Sequence, residues 1–311
     1  MKKVILSTAL SVLVTPTMLH ASVIIPTPGS TLTINSVISD YYEVDYDAGA
    51  SAAGTNVIFD TGAEVTGLRT SGGLPDGISY LASGVSTTTV NAGTFAGSFA
   101  LGGNSTAVIH SGIFAGVDAD DNAIVAFGNA IITINDAFGS NSGDLLAMGG
   151  AMITVNGGSF GDDLLAQGGG QIIFNDGTIA DDAEAFDSGS LIKIFDGSFS
   201  GQIEASEGMI EVRGGTFLND FRTEAGGIIN VIGSGFTIDG LAVGAGNVVP
   251  TSGLLEGTLE NGDALSVNFD QDYDLTSETG AGVISLTVVP EPSSVLLVLL
   301  GSTMALLRRR K

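Results

Sequence analysis

The chain has 311 residues with 46 Gly, no Cys, no Trp and only 14% charged residues, against about 7% Gly and 25% charge in an average globular protein. Hydrophobic content of 44% excludes a disordered chain, absent cysteine excludes disulfides, a thiol nucleophile and Cys-ligated zinc, and this much glycine disfavours long helices. Net charge is −24, which repels phosphate backbones, excludes nucleic acid as a partner and attracts cations.

At the start, Met1-Lys2-Lys3 is a positive n-region, residues 4–14 are an apolar run, and Leu19-His20-Ala21 offers a cleavage site after Ala21. Residues 1–21 therefore read as a secretory signal peptide, expected to be helical. The apolar run is too short to span a bilayer.

Residues 22–87 read as irregular N-terminal coils and a cap. The segments Leu32 to Asn35 and Val57 to Asp60 look like early strands, with Tyr41, Tyr42 and Tyr46 between them. Residues 88–249 are a repeat. Eight β-rich segments have the anchors Val90, Ile109, Ile134, Val155, Phe174, Ile194, Val212 and Val231, most of them about 19 residues apart. Three residues after an anchor, Gly stands at 93, 112, 158, 177, 197 and 215. Five after it comes Phe95, Phe114, Phe160, Ile179, Phe199, Phe217 or Phe236; the third repeat breaks step, with Phe138 four after Ile134. Each unit thus predicts a strand, a glycine corner, an inward aromatic and a second short strand. One unit cannot bury its own apolar face; stacked units can, by pairing strands in parallel. The predicted fold is all-β: a single-stranded parallel β-helix, or β-solenoid, of about 19-residue coils. The alternations in 264–269 and 284–288 predict closing strands within a terminal unit at 250–289.

Stacking lets chemistry be sought by register. Asn91, His110, Asn135, Asn156 and Asn175 follow their anchors directly and read as an amide ladder at a corner, with His110 a turn substitute. Lys193 and Glu211 are predicted cross-strand neighbours forming an ion pair, and Phe195 with Arg213 a cation–π contact. Asp162-Asp163 and Asp181-Asp182 occupy equal offsets in consecutive coils, with Asn219-Asp220 two coils on. Like charges stacked across a ladder are unfavourable. Either these side chains splay into water, the simpler reading, or a hard cation such as Ca²⁺ bridges Asp162, Asp163, Asp181 and Asp182. No other cofactor is expected.

The end reads Pro290-Glu291-Pro292, an apolar run over 293–307 containing Gly301, then Arg308-Arg309-Arg310-Lys311. The run would form a helix of about 22 Å, short of the roughly 30 Å hydrocarbon core. The positive-inside rule places the basic cluster in the cytoplasm, so a transmembrane helix is expected over 290–311. Those three parts in that order closely resemble the PEP-CTERM sorting signal of Gram-negative bacteria. The resemblance implies recognition by a membrane-embedded exosortase, removal of the tail, and delivery to the cell surface or an exopolysaccharide matrix. It implies nothing about the body.

No catalytic constellation is evident. The leading expectation is a non-enzymatic structural or adhesion protein of the cell surface or extracellular matrix, with exopolysaccharide as its candidate partner. The alternatives are a glycan-active enzyme, lyase or hydrolase, using carboxylates on one face, and a Ca²⁺-dependent binding module. The enzyme reading requires converging carboxylates or an acidic cluster facing Arg222.

Overall fold

The computed structural model describes residues 29–39, 42–44, 54–68, 78–115, 122–139, 143–248, 250–271 and 281–289. It also describes a short parallel pairing of Val4–Ile5 with Ile24–Ile25. The fold is all-β, with parallel strands repeating coil after coil as a solenoid of three faces. The first face stacks four-residue strands in unbroken register from Thr31–Ile34 through Asn56–Phe59, Thr87–Val90 and Ile131–Ile134 to Met209–Val212 and the start of Ile228–Ile238. The second face is a nine-stranded sheet of two-residue strands, from Val37–Ile38 to Thr216–Phe217. The third runs from Tyr42–Val44 to Phe221–Glu224.

Strand alternation explains the core. In Ile131–Ile134 the side chains of Ile132 and Ile134 are buried while Ile131 and Thr133 face out, the period of two that a half-buried strand requires. Aromatics entering from the second face stack along the interior: the Phe95 and Phe114 rings lie 5.0 Å apart and nearly parallel. Phe199 and Phe217 repeat the arrangement at 5.4 Å. Phe138 does not join them. It pairs with Ile113 and Ser159 at the outward position and is half exposed, while Gly139 takes the inward site and Phe160 leans towards it. The missing residue between anchor and aromatic shifts Phe138 by one, which in a strand reverses its face.

Glycine is required at one corner column. Gly158, Gly177, Gly197 and Gly215 all have φ between 111° and 133°, a region L side chains avoid. A Cβ on Gly177 would lie 2.9 Å from the Gly158 carbonyl oxygen, and one on Gly197 equally close to that of Gly177. Each coil rests directly on the backbone of the last.

The C-terminal end is closed by an antiparallel unit. Ser252–Leu259 pairs with both Ile228–Ile238 and Ala264–Asp270. Phe269 continues the third face beside Phe221, and Val283–Val288 adds a final rung to the first. Buried Gln271 ties the pieces together. Its Nε2 donates to the Val248 and Pro250 carbonyls at 3.3 and 2.6 Å, and its Oε1 accepts from the Ile284 amide at 2.9 Å. Strand edges that would otherwise template association are thereby covered.

The expected transmembrane helix is corrected: the described residues hold no helix long and apolar enough to cross a membrane, and no helix of any kind. Residues 290–311, on which that helix was expected, lie outside the described residues, as does all but Val4–Ile5 of the expected signal helix at 1–21.

Candidate functional site: the acidic third face

Three consecutive coils enter the third face through an aspartate. Asp144 opens the strand Asp144–Met148, Asp163 directly precedes Leu164–Gln167, and Asp182 directly precedes Ala183–Phe186. Each uses one carboxylate oxygen to hold the next coil. The Asp163 amide donates to Asp144 Oδ1 at 3.1 Å, the Asp182 amide to Asp163 Oδ1 at 2.9 Å, and the Gln202 amide to Asp182 Oδ1. Such charge-assisted bonds are stronger than neutral ones, so the column serves as a clamp as well as a charge array.

The neighbouring aspartates complete two clusters that share Asp163. One carboxylate oxygen from each of Asp144, Asp162 and Asp163 lies within 4.8 Å of the others, and the same holds for Asp163, Asp181 and Asp182. Asp144 is buried, Asp181 exposed and the rest half-buried. All four aspartates singled out in the sequence are therefore brought together. Asn219-Asp220, at the same offset further on, is not part of either cluster; Asp220 instead lies 3.9 Å from Arg222 Nη2.

Beside the clusters runs an outward column on the same strands. In register it reads Leu146, Leu165, Glu184, Glu204, Arg222 and Asp270. Burial, reinforced by Asp163, Glu204, Asp182 and Asp144, pushes the Glu184 carboxyl up to about 8. Burial likewise raises Asp163 to about 6, with Asp162, Asp181 and Asp182 adding to it and the Asp182 amide opposing. Asp182 and Glu204 are also raised, chiefly by burial, while the Arg222 charge pulls both down. Protons or a cation must relieve this repulsion at neutral pH. The donor set is all oxygen, which suits a hard cation such as Ca²⁺.

Asp144, Glu184 and Glu204 escaped the sequence reading. Asp144 was hidden by counting forward from Ile134 across a longer coil. Counted back from the strand, Asp144-Leu145-Leu146-Ala147 repeats as Asp163-Leu164-Leu165-Ala166. Glu184 and Glu204 carry no local motif; only pairing sets them side by side.

The expectation of a non-enzymatic protein is corrected here. It rested on the lack of a converging carboxylate cluster with a cation nearby. Two clusters, each spanning two adjacent coils and sharing Asp163, bring three carboxylates within 4.8 Å of one another, and Arg222 lies in register beside Glu204. This surface has the makings of a binding or catalytic site.

The other columns are structural. Asn175 Nδ2 donates to Asn156 Oδ1 at 2.8 Å, Asn156 Nδ2 to Asn135 Oδ1 at 3.0 Å, and Asn135 Nδ2 meets His110 Nδ1 at 3.2 Å. Arg213 sits 5.6 Å from the Phe195 ring centroid. Lys193 and Glu211 are neighbours in register, but Glu211 bonds Arg213 Nε at 2.6 Å, and Arg213 reaches Glu260 at 2.6 Å as well. The expected Lys193–Glu211 ion pair is replaced because the guanidinium spans two carboxylates that a single ammonium does not.

The sorting residues Pro290, Glu291, Pro292, Arg308, Arg309 and Arg310 lie outside the described residues. The chain matches no protein-family model, no curated protein and no solved structure.

Proposed function

We propose that this chain is an exported parallel β-helix whose acidic third face takes up a divalent cation such as Ca²⁺ and, through it, an anionic polysaccharide. The observation that carries this reading is the pair of three-carboxylate clusters joined at Asp163. A hard cation there relieves like-charge repulsion, and its remaining coordination positions accept uronate or hydroxyl oxygens of a glycan. The signal-like N-terminus and the Pro-Glu-Pro, apolar, Arg order of the tail support delivery to the cell surface or matrix by an exosortase-type sorting enzyme.

A second reading, glycan cleavage on the same face, is favoured by Glu184. A carboxyl raised to about 8 keeps its proton at neutral pH, as a general acid must, and Glu204 and Arg222 follow it in register.

Calorimetry of the chain with CaCl₂ tests the site. Uptake of Ca²⁺ and a raised Tm are expected, because a ligand that binds only the native state stabilises it. Asp163→Asn keeps the oxygen that accepts the Asp182 amide but removes the shared charge, so it should abolish uptake with little loss of fold. No uptake by the wild-type chain overturns the reading. Cleavage of a uronic-acid polymer that is lost in Glu184→Gln, with Ca²⁺ uptake kept, would establish the second.

A further inference from the structure

Charge is distributed unevenly around the solenoid. The outward residues of the first face form two columns. The first, from Thr31 to Ile228, holds no Asp, Glu, Lys or Arg across ten strands. The second is equally free of charge from Thr33 to Ile173, then carries only Lys193 and Glu211, which are adjacent and opposite in sign. The face as a whole is neutral on a chain of net charge −24. It is also open and partly apolar: Val108, Ile131 and Met209 are 36%, 45% and 39% exposed, with Thr87 and Thr106 exposed among them. Its registers contain no shift from the first strand to the last, whereas the third face has irregularities at Ser98/Phe99 and Asn122/Ile124.

We propose that two copies of this chain associate through their first faces, antiparallel, around a twofold axis. Charge excludes the third face, and width disfavours the second, whose strands are only two residues long and offer about half the footprint. Copies approaching through the third face meet carboxylate against carboxylate, while first faces meet Thr and aliphatic side chains of the same kind. A twofold contact needs a self-complementary patch, and sheets packed face to face about 10 Å apart interdigitate such columns. The area is adequate. Strands about 4.8 Å apart and four residues wide give a footprint of roughly 560 Å² per copy, so about 1,100 Å² across both, just above the threshold of about 1,000 Å² for a specific interface. Antiparallel pairing leaves Lys193 and Glu211 near the two ends and Val108, Ile131 and Thr133 near the centre. Both third faces stay open, so this assembly does not depend on what they bind.

Sedimentation equilibrium of the full chain from about 1 to 100 μM is the test, with a dimer of micromolar Kd expected. Ile131→Glu and Val108→Glu, each at an exposed position, should weaken dimerisation at least about tenfold while leaving the circular dichroism spectrum unchanged. Thr216→Glu, exposed on the second face, should leave it intact. A monomer throughout the range overturns the proposal, as does a dimer that survives both first-face charges. A monomer that instead co-sediments with an insoluble uncharged polysaccharide overturns it in favour of a glycan on the same face.

Discussion

Glu184 concentrates the electrostatic tension of the molecule. Its ordinary value of 4.5 is raised to about 8 by burial and four neighbouring carboxylates, so the native state holds a proton that the unfolded chain releases. Stability from this group is full below pH about 4.5 and is lost as pH rises towards 8, because the native state then binds more protons than the unfolded one. Asp163, raised to about 6, acts in the same direction over the lower part of that window. Thermal melts in the absence of divalent ions should show a higher Tm at pH 5 than at pH 8. Glu184→Gln should flatten the upper part of that slope. A Tm unchanged between those two pH values would show that these carboxyls titrate as exposed groups do.

At the scale of the coil, the corner glycines and the inward rings do most to set the repeat. Gly177 has a φ of 133° and approaches Gly158 so closely that a methyl group would meet its carbonyl oxygen. Gly177→Ala should cost about 1–3 kcal/mol, read as a lower denaturation midpoint with an unchanged slope. A variant as stable as wild type would mean that the corner relaxes without penalty. This element was visible in the sequence, since Gly three after the anchor and Phe five after it recur through the repeat. Phe138 was not. Its identity suits the core, but the one-residue change of phase places it outside, and composition alone does not report which face a side chain takes. Glu211 also chose a partner two residues along its own chain, Arg213, over the neighbouring strand's Lys193.

Across the whole molecule, a net charge of −24 opposes compactness. Added NaCl should raise Tm by screening this repulsion, steeply between about 10 and 150 mM as the Debye length falls from about 30 to 8 Å. At equal ionic strength Ca²⁺ should raise it further, since it engages the third face directly; equal effects of the two salts would argue against specific uptake. The antiparallel C-terminal unit protects the stack as a whole by covering its last rungs, with Gln271 satisfied by three backbone partners from two segments, 248–250 and Ile284.

By itself the sequence determined the all-β repeat, the inward and outward alternation and the amide ladder. These follow from local periodicity, and a periodic chain buries its apolar face only by stacking. It also assembled the four aspartates at one corner, because equal offsets in equal coils become neighbours. Only the tertiary structure decided that Asp144 joins them, that Glu184, Glu204 and Arg222 line up beside them, and that burial holds protons on that face. Those properties depend on registers shifted by insertions and on the dielectric around each carboxyl, and neither is written in any one segment of the chain.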